Sequence, residues 1–295
     1  MQSVATWLVG RPHNAVLALA ATLLLPVLHI FSGAIIVLVV LQRGPRLALL
    51  EGTIAGLLLV AVAFFVQAPV GQVAISITAT LLPSILLAWL LLRSRSLTLT
   101  LQVTAILAGL AMLVFHLAVD DLVAYWQPVI GVLEEWARNN NLQVQGELLV
   151  AEPELAAEMM TLAAVLTRWM LYAVYLLFGY QLYNALPVKT GNFGRFCDLT
   201  FGRVIALIMA LASVIGFAVG SQLLQDVAIV LFAIFWFQGL AIVHWLHVEG
   251  HVPFFVVIAT YVLTLVLHVF LVLALAVLGY TDAWFGYRRR KAQQQ

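Results

Sequence analysis

The chain alternates between long apolar stretches and short polar breaks along almost its whole length. Apolar runs of about 18 residues or more are long enough to cross a bilayer as a helix. A transmembrane barrel would instead show short segments of alternating hydrophobicity, whereas these runs are continuous. The pattern therefore predicts an all-α polytopic transmembrane helix bundle of about 8 spans. It forms one integral membrane domain, residues 1–295.

The predicted spans differ in how clearly the pattern defines them. Residues 1–13 form a polar lead, and Asn14 is a candidate cap for the first helix. The first apolar stretch, 15–41, is too long for one span and contains Pro26, which predicts one kinked helix or two short segments. The last span is a long run over 253–279. The remaining predicted spans are 47–66, 72–92, 97–119, 161–186, 204–222 and 226–246.

One segment between spans, residues 120–160, departs from the apolar pattern and carries most of the chain's acidic residues. Apolar residues fall at helical spacing within it, which predicts an amphipathic helix that lies on the bilayer or caps the bundle. The run Asn139-Asn140-Asn141 is expected to end this helix. The apolar positions are Trp126, Val129, Ile130, Leu133 and Trp136.

Arginine and lysine near the spans indicate orientation, because basic loops stay on the cytoplasmic side. The turns at 42–46, 93–96 and 187–203 are basic, and the turns between them are neutral or acidic. The tail, residues 280–295, holds the strongest basic cluster and is expected in the cytoplasm. Strict alternation over eight spans would place that tail outside, so the topology beyond residue 203 stays open.

Composition narrows the class of protein further. Of 295 residues, 64% are hydrophobic and only 9% are charged, whereas soluble domains carry about 25% charged residues. The net charge of +1 gives no sign of nucleic-acid binding. The single cysteine excludes an internal disulfide. No nucleotide-binding loop, HExxH, GxSxG or CxxC motif occurs, so we expect neither an enzyme nor a cofactor.

Polar side chains inside predicted spans are candidate binding groups, because lipid makes them costly unless they have a role. Arg168, Tyr172 and Tyr175 share one helical face, where the arginine could hold an anionic group against a tyrosine wall. The alternative is that Arg168 snorkels to the membrane surface. His29 and Gln238 are further ligand-binding candidates.

Three histidines near the end of one span suggest a different chemistry. His244, His247 and His251 fall on one face of a helix and have Glu249 beside them, a set that would suit zinc or another divalent ion. The alternative is a hydrated helix end, because Gly250 can break the helix before His251.

The last quarter of the chain carries a family resemblance. The order QGLAIV (238–243), a short polar turn, a long final span and then LGYTDAWFGYRRR resembles the YybS-like family of uncharacterised bacterial membrane proteins. The early turn at Arg43-Gly44 and the arginine-bearing span around Arg168 also fit. The matching terminal positions are Gly279, Asp282, Trp284, Arg288 and Arg289.

The resemblance implies a layout similar to the substrate-binding S components of energy-coupling-factor transporters. Those proteins capture a small molecule and dock on an ATP-driven module. The first expectation is therefore a multi-pass subunit of the bacterial inner membrane that takes up a small-molecule ligand. The alternative is a non-catalytic scaffold of the cell envelope, and a weaker third is a metal-dependent intramembrane enzyme. Expected partners are the lipid bilayer, an energising or envelope protein, and the ligand.

Overall fold

A computed structural model describes residues 1–25, 28–140 and 151–288 of the chain, except for the side chains of Leu265 and His268. The described residues form two compact units. The first unit comprises Met1–Leu101 and Met170–Leu199, and the second comprises Gln102–Trp169 and Thr200–Gln295. Two long helices contribute residues to both units.

Nearly all of the described residues are helical, and no strand occurs among them. One short 3-10 turn, Phe196–Asp198, interrupts the longest connection in the described ranges. The α-helices are α1 (Gln2–Gly10), α2 (Pro12–Leu24), α3 (His29–Arg43), α4 (Pro45–Phe65), α5 (Val70–Ser94), α6 (Leu97–Ala118), α7 (Leu122–Asn139), α8 (Pro153–Asn184), α9 (Gly202–Val219), α10 (Gln222–Val248), α11 (Phe254–Val266) and α12 (His268–Phe285).

Six of the described helices are long and apolar enough to cross a membrane: α4, α5, α6, α8, α9 and α10. Apolar helices of 10–17 residues cover Pro12–Leu24, His29–Arg43, Phe254–Thr264 and Val269–Phe285. The predicted all-α, membrane-spanning class is therefore confirmed, while the count of about 8 spans stays a prediction.

The ends of the chain differ from the sequence prediction. The expected polar lead is helical over Gln2–Gly10, and Asn14 lies inside α2, where its amide donates to the Trp7 carbonyl at 2.7 Å. The expected final span is broken at Leu267 and its second helix continues to Phe285, into the region predicted as tail. Pro26 and the tail residues from Arg289 onward lie outside the described residues.

The first unit is arranged around α3, whose residues from Ser32 to Leu41 are all buried. A helix that is apolar on every side is expected to be enclosed by neighbours. The apolar stretch that precedes it forms the separate helix α2, so the two-segment alternative holds. The histidine at the start of α3, His29, bonds through Nε2 to the Leu23 carbonyl at 3.0 Å, which satisfies a carbonyl at the end of α2.

Glycines set the closest helix contacts within each unit. In the first unit, a Cβ on Gly33 of α3 would collide with the Tyr175 ring of α8, and one on Gly179 would collide with Val37. In the second unit, a Cβ on Gly239 of α10 would collide with the backbone of α12. Small residues let helices approach closely without side chains between them.

The acidic segment is an amphipathic helix at its start, as predicted. Helix α7 ends at Asn139 and begins at a capping residue, Asp121, whose carboxylate accepts from the Ala124 amide at 2.9 Å. Trp126 donates to the Thr161 hydroxyl at 2.8 Å, which fixes α7 against α8 within the second unit. Residues 141–150 lie outside the described residues, and the end of the segment is already helical, because α8 begins at Pro153 and not near residue 161 as predicted.

Candidate functional site

A buried polar network in the second unit includes residues near the end of the described chain, and we call it the C-terminal network. It consists of Gln238 on α10, Asp282 on α12, Arg288 after α12 and the backbone amide of Phe201. Gln238 accepts from the Phe201 amide at 2.7 Å and donates through Nε2 to Asp282 Oδ2 at 2.9 Å. Arg288 donates to the same oxygen from Nη2 at 2.7 Å and from Nε at 3.2 Å.

Two glycines on facing helices make this network possible. A Cβ on Gly239 would collide with the Leu275 carbonyl oxygen, and one on Gly279 would collide with the Phe235 carbonyl oxygen. The backbones of α10 and α12 therefore touch directly. That contact brings the side chain of Gln238, the residue before Gly239, within hydrogen-bonding distance of α12.

The chain reverses after α12 in a way that returns Arg288 to Asp282. Gly286 adopts a left-handed conformation with φ 59°, and its amide donates to the Asp282 carbonyl at 2.8 Å. Glycine favours this helix-ending conformation because it has no Cβ to clash with the backbone. A second link joins the same region to α9, since Arg203 donates to the Trp284 carbonyl at 3.2 Å.

The electrostatics of the network are those of a buried ion pair. The Asp282 side chain is 3% exposed and that of Arg288 is 10% exposed. Oδ2 takes all the hydrogen bonds named above, while Oδ1 is buried and has no donor among the described residues. The hydrogen bonds of the network join α10, α12, the segment after α12 and the start of α9, so they hold these parts of the second unit together.

On the predicted ligand face of α8, the two tyrosines pack against neighbouring helices and the arginine is exposed. Tyr172 donates to the Ala79 carbonyl of α5 at 2.8 Å, and Tyr175 is buried with its ring against Gly33. Their ring centroids lie 6.0 Å apart, so the two tyrosines do share a face. Arg168 is exposed and has no hydrogen-bond or ion-pair partner in the described part of the chain. The tyrosines therefore fill a helix contact within the first unit.

The other two predicted ligand residues already have protein partners. His29 bonds to the end of α2, and Gln238 has 0% exposure and both of its amide atoms in the C-terminal network. Neither side chain has hydrogen-bonding capacity directed at an open cavity in these contacts.

The three candidate metal ligands bind separate partners. His244 Nε2 lies 2.9 Å from the Tyr261 hydroxyl, and His247 Nδ1 lies 3.2 Å from the Val252 carbonyl. His251 is exposed and its ring contacts Trp245 at 5.8 Å between centroids. Across the described residues, no three His, Cys, Asp or Glu side chains come together as a metal site. Each of the three histidines therefore contacts a different neighbour at the end of α10 or just beyond it.

An apolar groove in the first unit lies between two of the helices that could span a membrane. It lies between α4 and α5, has a volume of about 270 Å³, and contains none of the predicted ligand residues. Small-molecule sites usually have about 300–1,000 Å³ and a few convergent polar groups. Here the only polar side chains in the lining are Thr53 and Thr78.

The sequence prediction missed the importance of buried carboxylates. Glu51 accepts from Arg43 at 2.6 Å, and Arg43 also donates to the Val9 carbonyl, so these groups tie α4, α3 and α1 together. Asp226 on α10 faces His116 on α6. Glu51 stands alone within a long apolar run and Asp226 lies at the start of one, and that was the available signal, since isolated charges in such runs need a partner.

No protein-family model, curated protein or solved structure matches the chain. The resemblance to the YybS-like family therefore stays a prediction. Three of the positions that carry it do converge, because Gly279 forms the helix contact beside Asp282 and Arg288. The function is argued below from the contacts of the chain's own residues.

Proposed function

We propose that the chain is a non-catalytic multi-pass scaffold of the bacterial inner membrane that binds a protein partner through its basic C-terminal tail. The observation that carries this proposal is the C-terminal network, which ties Arg288, the first residue of the basic run, to a buried carboxylate. Burying an ion pair costs desolvation free energy, so the pair indicates that the position of this arginine matters.

Because Arg288 is held in place, the basic tail begins at a defined position. Gln238 links Asp282 to the Phe201 amide, so the root of the tail is held to α9, α10 and α12 together. Holding the root reduces the conformational entropy that the tail loses when it binds, and preorganisation of this kind raises affinity. The basic residues that follow suit an acidic protein surface on the cytoplasmic side.

Helix α7 supports the bilayer as a second partner. Its buried residues are Ile130 and Ala137. Its exposed side presents Tyr125, Val132 and Trp136, which is the amphipathic pattern of a helix at a membrane surface.

Crosslinking in intact cells tests the scaffold proposal. The full chain would carry an N-terminal tag and be compared with a truncation that lacks residues 289–295 and with Asp282→Asn. We expect one protein, identified by mass spectrometry, to be captured by the wild type and lost with the truncation. Asp282→Asn should reduce capture several-fold, because the neutral amide no longer holds the Arg288 guanidinium.

Asp198→Asn is the matched control, because Asp198 pairs with Arg195 in an exposed ion pair that shares no side chain with the C-terminal network. It should capture the partner as the wild type does. Equal capture by the truncated chain would refute the scaffold proposal, provided that both chains reach the membrane in equal amounts.

A second candidate function is uptake of an anionic small molecule, and Arg168 is the observation that favours it. A charged side chain without a described partner in an apolar helix is costly in lipid and marks a binding group by default. Native mass spectrometry of gently purified protein would detect a bound ligand. Loss of that ligand in Arg168→Ala, but not in Arg138→Ala on the exposed surface of α7, would support uptake. Wild-type protein without any bound small molecule would count against it.

A further inference from the structure

The pair formed by His116 on α6 and Asp226 on α10 lies outside the C-terminal network and has an unusual hydrogen-bond requirement. His116 Nε2 lies 3.5 Å from Asp226 Oδ2, and the two side chains are 14% and 4% exposed. The opposite ring nitrogen, Nδ1, lies 3.2 Å from the Met112 carbonyl oxygen. Oδ2 has no conventional hydrogen bond from any described residue.

The Met112 carbonyl determines which ring nitrogen carries hydrogen in the neutral imidazole. A carbonyl can only accept, so Nδ1 must donate to it and carries the ring's first proton. Nε2 then presents a lone pair to Asp226 unless a second proton is present. Without that proton, two acceptors, one of them an anion, would face each other in a buried position, which is strongly unfavourable.

The surroundings hold the two side chains in this arrangement. Gln222 donates to Asp226 Oδ1 at 3.2 Å, so the other carboxylate oxygen already has a partner. Helices α6 and α10 pack together one to two turns deeper, where Gly109 faces Leu231 and Val227 at contact distance. The pair therefore sits at a close contact between two apolar helices.

We propose that His116 and Asp226 form a buried binding site for one exchangeable proton, held between Nε2 and Oδ2. The proton resides on the imidazole, giving an ion pair, or on the carboxylic acid, giving a neutral hydrogen bond. Both forms hold the same number of protons and keep α6 joined to α10. Release of the proton leaves Nε2 and Oδ2 as opposed acceptors and loosens that contact.

Other titratable groups connect the site to its surroundings. The charges of both His116 and Asp226 act on Glu158 of α8, and Glu154 acts on Glu158 in turn. Glu158 is half-buried and Glu154 is exposed, so both are further ionisable groups whose charge can influence the pair.

Solid-state NMR on the full chain in lipid nanodiscs tests the proposal. The wild-type protein would carry ¹⁵N-labelled histidine and ¹³Cγ-labelled aspartate. Because dipolar coupling requires short distances, a ¹⁵N–¹³C correlation would select the signals of His116 and Asp226. Near neutral pH, we expect either a doubly protonated imidazole with an ionised carboxylate or a neutral imidazole with a protonated carboxyl group. As pH rises, one event should remove the proton and change both signals together.

Asp226→Asn is the control for the selected signal, which must disappear in that variant. A neutral Nε2 opposite an ionised Asp226 at neutral pH would overturn the proposal, and so would separate titration of the two nuclei. Thermal unfolding gives a second readout on the wild type alone. Between the pH at which the unfolded chain's imidazole loses its proton and the higher pH at which the folded pair releases its own, the ratio of folded to unfolded protein should fall about tenfold per pH unit, because only the folded state binds the extra proton in that range. Above the pH of release from the folded state, the ratio should level off.

Discussion

Each of the two units has a close helix contact built on a pair of glycines, but different groups face the glycines in the two contacts. Each places one glycine on each helix, Gly33 and Gly179 between α3 and α8, and Gly239 and Gly279 between α10 and α12. In the first unit, the space opposite Gly33 is filled by the ring of Tyr175. A Cβ on Gly179 would meet both the Val37 side chain and the Ala34 carbonyl oxygen, whereas in the second unit both glycines face carbonyl oxygens of the partner helix.

The polar groups beside the two contacts also differ, because those in the first unit are neutral and those in the second unit are charged. In the first unit, Tyr172 makes a neutral hydrogen bond to the Ala79 carbonyl. In the second unit, the ion pair of Asp282 with Arg288 lies beside the glycines. At Gly33 the clashing group is a side chain that can move to accommodate a substitution. In the second unit, both glycines contact backbone and a buried ion pair lies beside them, so neither has that freedom. We therefore expect the second contact to tolerate change less well than the first.

The largest effect should come from Asp282→Ala, which leaves Arg288 buried without its carboxylate. Removing one member of a buried ion pair typically costs about 3–5 kcal/mol, because the remaining charge is uncompensated. The expected result is a loss of that size in the free energy of unfolding, measured in detergent micelles by tryptophan fluorescence.

The double variant Asp282→Leu with Arg288→Met should recover much of this loss, because neither charge remains buried. Asp198→Ala, which breaks an exposed ion pair, should cost only about 0–1 kcal/mol. An Asp282→Ala loss no larger than the Asp198→Ala loss would show that the network does not hold α12.

The fold class could be predicted from sequence because hydropathy is a local property. The interruption between α2 and α3 was anticipated from Pro26, but the break at Leu267 has no proline or glycine to signal it. The helix α1 was missed because its residues combine apolar and small polar side chains with no clear start signal.

The candidate site was predictable only in fragments. Periodicity correctly placed Tyr172 and Tyr175 on one face, yet whether that face lines a cavity depends on Gly33, far away in the chain. Gln238 was selected as a buried amide, but its partner is Asp282, 44 residues away. No single-sequence pattern specifies such a pairing, because it results from the crossing of two helices.

Glycine substitutions should give the next largest effect and separate the two contacts most sharply. Gly239→Ala and Gly33→Ala each introduce a methyl group into a filled space, which typically costs about 1–3 kcal/mol. In the first unit, Gly33→Ala should cost less free energy of unfolding when it is made in the Tyr175→Ala variant than when it is made in the wild type, because the clashing ring is gone. In the second unit, no side-chain change can recover Gly239→Ala, because the clash is with the Leu275 carbonyl.

Double-mutant cycles on unfolding free energies measure this difference. Gly109→Ala is the matched control, since its Cβ would meet Leu231 and Val227 only at ordinary contact distances, from 3.6 Å. Recovery of Gly239→Ala by shortening Leu275 would contradict the assignment of a backbone contact.

A smaller effect should follow Tyr172→Phe, which removes only the hydroxyl that donates to the Ala79 carbonyl. A neutral hydrogen bond contributes about 0.5–1.5 kcal/mol, and the ring stays in place to fill the contact. The unfolding free energy should fall by that amount, several times less than in Asp282→Ala. A loss equal to that of Asp282→Ala would remove the distinction between the neutral and the charged contact.

The smallest change tests burial in the first unit without altering its stability. Cys197 lies in the connection after α8 and is 6% exposed, and burial together with the neighbouring Asp198 carboxylate raises the pKa of its thiol. Because the thiolate is the reactive form, labelling by maleimide at neutral pH should be slower than that of an exposed cysteine and should accelerate as pH rises. Asp198→Asn removes the neighbouring negative charge, so it should lower the pKa and speed labelling about two- to fivefold at the same pH. Only a modest acceleration is expected, because burial, the larger cause, remains in that variant. Rapid labelling of the wild type at neutral pH would mean that the connection opens readily, and that the first unit is less tightly packed than its buried tyrosines and glycine contacts indicate.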